Sequence, residues 1–119
     1  MSSLGAKTNS AVPIGCLAYG PTKSALEKLT FVLGTSFAQR DIPIQVNAME
    51  PGIFPSEMAT PEFLDTIETE PLPGFVAPMP ARRHGSDAEL GMTAIYLTVS
   101  DYTNGAVLSV DGRIMLVNP

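Results

Sequence analysis

One cysteine, one histidine and no run of basic residues are what this chain offers for disulfide, metal and phosphate chemistry. Each scarcity excludes something. A lone cysteine, Cys16, cannot form an internal disulfide, which points to a reducing compartment and a cytoplasmic location. Cys16 and His84 are too few for a structural zinc site or a Cys/His nucleophile pair, so no metal is expected and Cys16 reads as a small apolar residue. Lys+Arg number 7 against 12 Asp+Glu, a net charge of −5, and Arg82-Arg83 is the densest positive spot. That balance argues against a nucleic-acid partner. No apolar run approaches the roughly 20 residues that cross a bilayer, and the opening Met-Ser-Ser-Leu-Gly lacks the parts of a secretory signal, so no membrane is expected. Charged residues make up only 16 %, below the roughly 25 % of soluble domains. A surface so poor in charge is expected to be covered in part by something else.

What is present suits one domain of 119 residues with 45 % apolar content. Residues 1–17 are irregular. From Ala18 to about Arg40, Leu26, Leu29, Leu33 and Phe37 recur at helical spacing, with Pro21 tolerated in the first turn. Ile44–Met49 reads as a strand ended by Pro51-Gly52. Residues 53–85 are proline-rich and read as a long lid outside the core, with a helix from Thr60-Pro61-Glu62 to about Glu70. Ser86-Asp-Ala-Glu89 is a capping box that opens a helix to about Val99, apolar enough to predict deep burial. Ala106–Val110 is a second strand after the Asn104-Gly105 turn. Alternating helices and strands predict parallel pairing in an α/β sheet. Two strands do not complete a doubly wound domain, so the chain reads as the second half of something.

Tyr19 and Lys23, at the mouth of the first helix, carry the chemistry. Residues four apart share a helical face, with Cβ atoms roughly 5–6 Å apart. A phenol titrates near 10 in water, and a neighbouring cation favours the phenolate, bringing it toward the range of a useful acid/base. Taken alone, the pair is equally well an amphipathic helix start with a solvated lysine. Its downstream companions decide between the two.

Tyr19-x-x-x-Lys23 is followed by Asn47-x-x-x-Pro51-Gly52-x-x-x-Ser56-x-Met58, Arg83-x-Gly85-x-x-x-Glu89, and Gly105-x-x-Leu108-x-Val110-Asp111-Gly112. In this order the four motifs resemble the C-terminal half of the classical short-chain dehydrogenases/reductases, an NAD(P)-dependent family with a Rossmann-type doubly wound parallel sheet. The resemblance runs from about Ser2 to Gly112, and makes residues 1–119 a partial domain of that family: catalytic helix, substrate lid, last helix and strand. It implies that Tyr19 is the catalytic acid/base toward a carbonyl or alcohol oxygen. Lys23 then binds the nicotinamide ribose and tunes the tyrosine. Ser3, in a Ser-Ser pair before small residues, is implied to hydrogen-bond the substrate oxygen. Pro51, Gly52, Ile53 and the hydroxyl of Ser56 are implied to face the nicotinamide carboxamide, Ser56 standing where the family more often has threonine. Arg113 replaces a usual second glycine.

The family's glycine-rich strand–turn–helix, which binds pyrophosphate, is absent from the sequence, as is the asparagine of its preceding helix. The nucleotide-binding N-terminal half is therefore expected to be missing, leaving exposed strand edges. Two readings follow. One is a piece of an NAD(P)-dependent oxidoreductase acting on a small, largely apolar carbonyl or alcohol. The other is an inactive truncated product or pseudoenzyme that at most binds a related subunit. In the family the helix from Tyr19 also packs subunits together, so a homo- or hetero-oligomer through it is implied.

Overall fold

The leucine spacing yields the longest element: α1 runs Tyr19–Gln39 in a computed structural model that describes residues 1–8 and 17–118. Cys16 lies outside the described residues. The face that α1 buries is not its leucine stripe. Thr30 and Gly34, four apart, are buried; Leu26, Leu33 and Phe37 are half-buried, and Leu29, Phe31 and Val32 are exposed. The Asn104 side chain donates to the Gly34 carbonyl at 3.2 Å, tying the helix to the turn before the last strand. At the C-terminus Ile42 N–H bonds Phe37 C=O at 2.9 Å, and Asp41 N–H bonds Ala38 C=O at 3.3 Å. Asp41 adopts the left-handed conformation (φ 54°) that this ending requires, a position usually given to glycine.

β1 (Ala48–Pro51) and β2 (Val107–Val110) pair in parallel, with Ala48 beside Val107 and Pro51 beside Val110. This is the expected parallel α/β arrangement. β1 nevertheless begins later than the predicted 44–49. Asparagine side chains occupy the bonds a ladder would use: Asn104 Oδ1 accepts from Val46 N–H, and Asn47 bonds both Thr103 C=O and Ala106 N–H. On the other edge of β1, Ser2 N–H donates to Met49 C=O at 2.7 Å. The N-terminal segment thus lies where a neighbouring strand would lie, held by that bond.

The segment 53–85, predicted as an excursion outside the core, instead holds most of it. Ile67, Met79, Leu4 and Ile114 are buried together, and Ile53, Phe63, Leu64, Leu72, Phe75, Ala81 and Met115 pack around them. Chain-distant apolar residues converge there, a fact no local pattern encodes. α2 runs Pro61–Thr66, capped by Thr60 and shorter than predicted, because Ile67 turns into this core. α3 (Asp87–Val99) starts with the predicted Ser86/Glu89 capping box. Its predicted deep burial is overturned: no α3 residue is buried, and Met92, Ile95, Tyr96 and Val99 are exposed. A two-stranded sheet offers too little surface to cover an apolar helix on more than one side.

The chain then turns through Gly112 (φ 62°) and Arg113 (φ 67°), both left-handed, into α4 (Ile114–Val117), which the sequence reading missed. Asp111 caps it, accepting from Arg113 N–H at 2.9 Å and Met115 N–H at 3.3 Å. Among the described residues, no helix is long and apolar enough to cross a membrane.

Candidate active site

Ser3 opens a 3₁₀ turn, Leu4–Ala6, its hydroxyl accepting from Gly5 N–H at 3.2 Å. Gly5 stands between Ser3 and Tyr19. A methyl group there would lie 3.0 Å from two ring carbons of Tyr19 and 3.6 Å from Ser3 Oγ. Across the contact, a methyl on Gly20 would lie 2.8 Å from the Gly5 carbonyl oxygen. The first turn of α1 therefore rests directly on the 3₁₀ turn, and Ser3 and Tyr19 flank one spot. Lys23 Nζ sits 5.5 Å from the Tyr19 ring centroid, within cation–π range, and donates to Met1 C=O at 3.3 Å. Ser3, Tyr19 and Lys23 are thus brought together. Tyr19 is 40 % exposed, so its ring is open to solvent on one side.

Other side chains fasten the same segment. Ser2 Oγ donates to Glu27 at 2.7 Å and Ser24 Oγ to Ala6 C=O at 2.6 Å, both to or from α1. Lys7 Nζ reaches Glu50 Oε2 at 2.6 Å, and Ser109 donates to that same oxygen. Glu50 is fully buried, and the sequence reading missed it. Its only signal was a carboxylate inside an otherwise apolar strand.

Pro51, Gly52 and Ile53 lie where β1 ends. A methyl on Gly52 would come within 2.7 Å of Asp111 Cα, so glycine is required here by the crossing of two backbone segments. The resemblance implies that Gly52 faces the nicotinamide carboxamide; the neighbour its missing side chain admits is Asp111. Gly52 N–H bonds Val110 C=O, and Ile53 C=O accepts from Gly85 N–H at 2.9 Å; among the described residues the Ile53 N–H bonds no acceptor. Ser56 is exposed in a short bridge to Ala59, and no hydrogen bond joins it to Ser3, Tyr19 or Lys23. A cavity of about 60 Å³ opens at the carboxyl ends of both strands, lined by Ile53, Phe54, Arg83, His84 and Asp111. That is the end where open α/β sheets bind ligands, but the volume is far below the roughly 300 Å³ of a small-molecule pocket.

Beside the cavity, Arg83 makes two hydrogen bonds to Glu89, at 2.6 and 2.9 Å. These bonds, and those from the Ser86 backbone and hydroxyl, lower the Glu89 carboxyl from its ordinary 4.5 to about 2. Among the described residues no cluster of three potential metal ligands occurs.

A tyrosine, lysine and serine converge at the edge of a parallel α/β sheet. A family model described as enoyl-(acyl carrier protein) reductase matches residues 1–112. The short-chain dehydrogenase/reductase SAT3 of Stachybotrys chartarum is 38 % identical over 100 residues, covering 80 % of this chain and 35 % of its own length. The chain belongs to the short-chain dehydrogenases/reductases. Gluconate 5-dehydrogenase of Gluconobacter oxydans, another relative, is 34 % identical over 107 residues, covering 84 % of this chain and 38 % of its own. The Pseudomonas aeruginosa RhlG/NADP active-site complex superposes with a TM-score of 0.72 at 31 % identity, over 95 % of this chain and 44 % of that one. This short-chain dehydrogenase/reductase chain therefore spans between a third and a half of the length of the relatives it matches. Its fold is that of their Rossmann-type α/β sheet, represented by two strands.

Proposed function

We propose that the chain carries the acid/base half of an NAD(P)-dependent oxidoreductase site that interconverts a small carbonyl and its alcohol. The convergence of Ser3, Tyr19 and Lys23 on the Gly5 turn is the observation that carries this reading. In the reductive direction the Tyr19 hydroxyl gives its proton to the substrate oxygen while Ser3 Oγ holds that oxygen by a hydrogen bond. The Lys23 ammonium keeps a positive charge beside the ring throughout. When bound, the reduced nicotinamide supplies the hydrogen and two electrons that the carbonyl carbon gains. The Ile53 N–H is the donor suited to its carboxamide; Pro51 and Gly52 fix that strand end, and the Ser56 hydroxyl follows it. These residues suit the nicotinamide end alone, because the sequence has no glycine-rich turn for the pyrophosphate. Residues 1–119 then form a partial domain, with 53–85 as the cover over the substrate and a cytoplasmic location. Exposed Phe31 and Val32 on α1 favour association with another subunit through that helix.

The second reading, an inactive truncated product or pseudoenzyme that serves at most as an interaction module, is favoured by the exposed apolar residues of α3. NADH and NADPH titrations followed by cofactor fluorescence separate the possibilities. The isolated chain is expected to show no saturable micromolar binding, whereas a fusion behind the amino-terminal half of the P. aeruginosa relative is expected to bind and reduce a carbonyl. Micromolar saturation by the isolated chain contradicts the half-site reading. A fusion that binds cofactor without turnover favours the second reading.

A further inference from the structure

The turn that carries Ser3 is fastened from two directions. Lys23, Ser24 and Glu27 bond it from α1, the helix that also carries Tyr19. Such bonds keep Ser3 and Tyr19 together but say nothing of where the pair sits over the sheet. That relation depends on the burial of Leu4 beside Ile67, Met79 and Ile114, on the Ser2 N–H bond to Met49 C=O, and on Lys7, whose ammonium reaches Glu50 and donates to Ser109 Oγ at 3.2 Å. Glu50 precedes Pro51 directly, so it stands one residue from the strand end assigned above to the nicotinamide.

Glu50 is an expensive residue to place there. It shares a strand face with Ala48, is 0 % exposed, and its Oε1 is buried with no hydrogen-bond partner among the described residues. A buried carboxylate needs pairing, and an apolar residue of similar size usually does as well for stability. What an apolar residue lacks is direction. Lys7 closes the 3₁₀ turn through its own N–H to Leu4 C=O at 3.0 Å, then sends its ammonium to Glu50 at 2.6 Å. Ser109 on β2 holds the same carboxylate oxygen, fixing it against both strands.

We propose that Lys7 and Glu50 are positioning residues, which set the Ser3–Tyr19 half of the site at a fixed place relative to the Pro51–Ile53 strand end. The proposal rests on the acid/base reading for its meaning, but its test does not use activity.

Lys7→Met alone strands a buried charge, so the informative variant is Lys7→Met/Glu50→Gln, which removes the charge together with its partner. The readouts are amide hydrogen exchange across the isolated chain and the ring resonances of Tyr19. The double variant is expected to speed exchange at Gly5 and Ala6 by about tenfold or more and to shift the Tyr19 ring signals, with Val107–Val110 changed by less than about twofold. Lys7→Arg is expected to keep the wild-type pattern. Exchange at Gly5 and Ala6 within about twofold of wild type overturns the proposal. So does acceleration that extends equally to β2, which makes the pair a general stabiliser. A fusion that binds cofactor without turnover sinks the acid/base reading and leaves this result untouched.

Discussion

Glu89 shows how much a single surface carboxylate organises here. It caps α3 and grips Arg83, and these bonds lower its titration from 4.5 to about 2. A depressed carboxyl stabilises the fold above its unfolded value and loses that effect as pH falls through the folded one. The difference in melting temperature between wild type and Glu89→Gln is therefore expected to be constant above about pH 5 and to shrink toward pH 2. A difference that persists unchanged at pH 2 contradicts the assignment. Asn118 does comparable work in the buried region. Its oxygen accepts from Val76 and Ala77 N–H, both at 2.8 Å, and its nitrogen donates to Ala77 and Ile114 C=O. Asn118→Leu leaves the Val76 and Ala77 N–H groups and the Ala77 C=O without that partner, while Ile114 C=O keeps the backbone N–H of residue 118, and is expected to cost about 1–3 kcal/mol in urea unfolding. A loss below about 0.5 kcal/mol means water replaces the side chain. At Gly52 the obstacle is backbone, since Asp111 Cα lies 2.7 Å from where a methyl would stand. Gly52→Ala is expected to cost about 1–3 kcal/mol, and an unchanged melt shows that β1 and the 111 turn can separate freely.

At the scale of elements, legibility in the sequence follows how local the signal is. α1, the capping box of α3 and the second strand were readable because spacing, caps and turn residues act over a few positions. The start of β1 was not, since Asn47 and Asn104 take over backbone bonds across more than fifty residues of chain. The core beneath 53–85 was equally hidden: Leu4, Ile67, Met79 and Ile114 meet only through the tertiary fold. Of the site, Tyr19 and Lys23 were legible from one helical turn, and Ser3 from the family pattern; Ser3 and Tyr19 flank Gly5, and Lys23 stands beside the Tyr19 ring. Glu50 showed only as a carboxylate in an apolar strand, and its partner Lys7, forty-three positions away, could not be read from it. Arg113 carries an expectation of its own. It holds φ 67°, a conformation that favours glycine, so Arg113→Gly relieves roughly 1 kcal/mol of left-handed strain against a similar entropy cost. Thermal melts within about 1 kcal/mol of wild type are expected, and a larger loss shows that the Arg113 side chain holds the turn.

At the scale of the whole molecule, the charge-poor composition, the exposed apolar residues of α3 and the two-stranded sheet together leave apolar surface open to solvent. The isolated chain is accordingly expected to bind a hydrophobic dye or self-associate in size-exclusion chromatography at micromolar concentration; a dye-silent monomer contradicts that expectation. The proposed proton-handling corner is built from three residues on two touching turns, Ser3, Tyr19 and Lys23. The most direct test compares wild-type and Tyr19→Phe forms of the fusion described above, in carbonyl reduction with NADPH at matched cofactor binding. The account predicts a fall in kcat of about 10²–10⁴-fold with cofactor affinity unchanged, the loss typical of a removed general acid. Equal turnover by the two forms would contradict it.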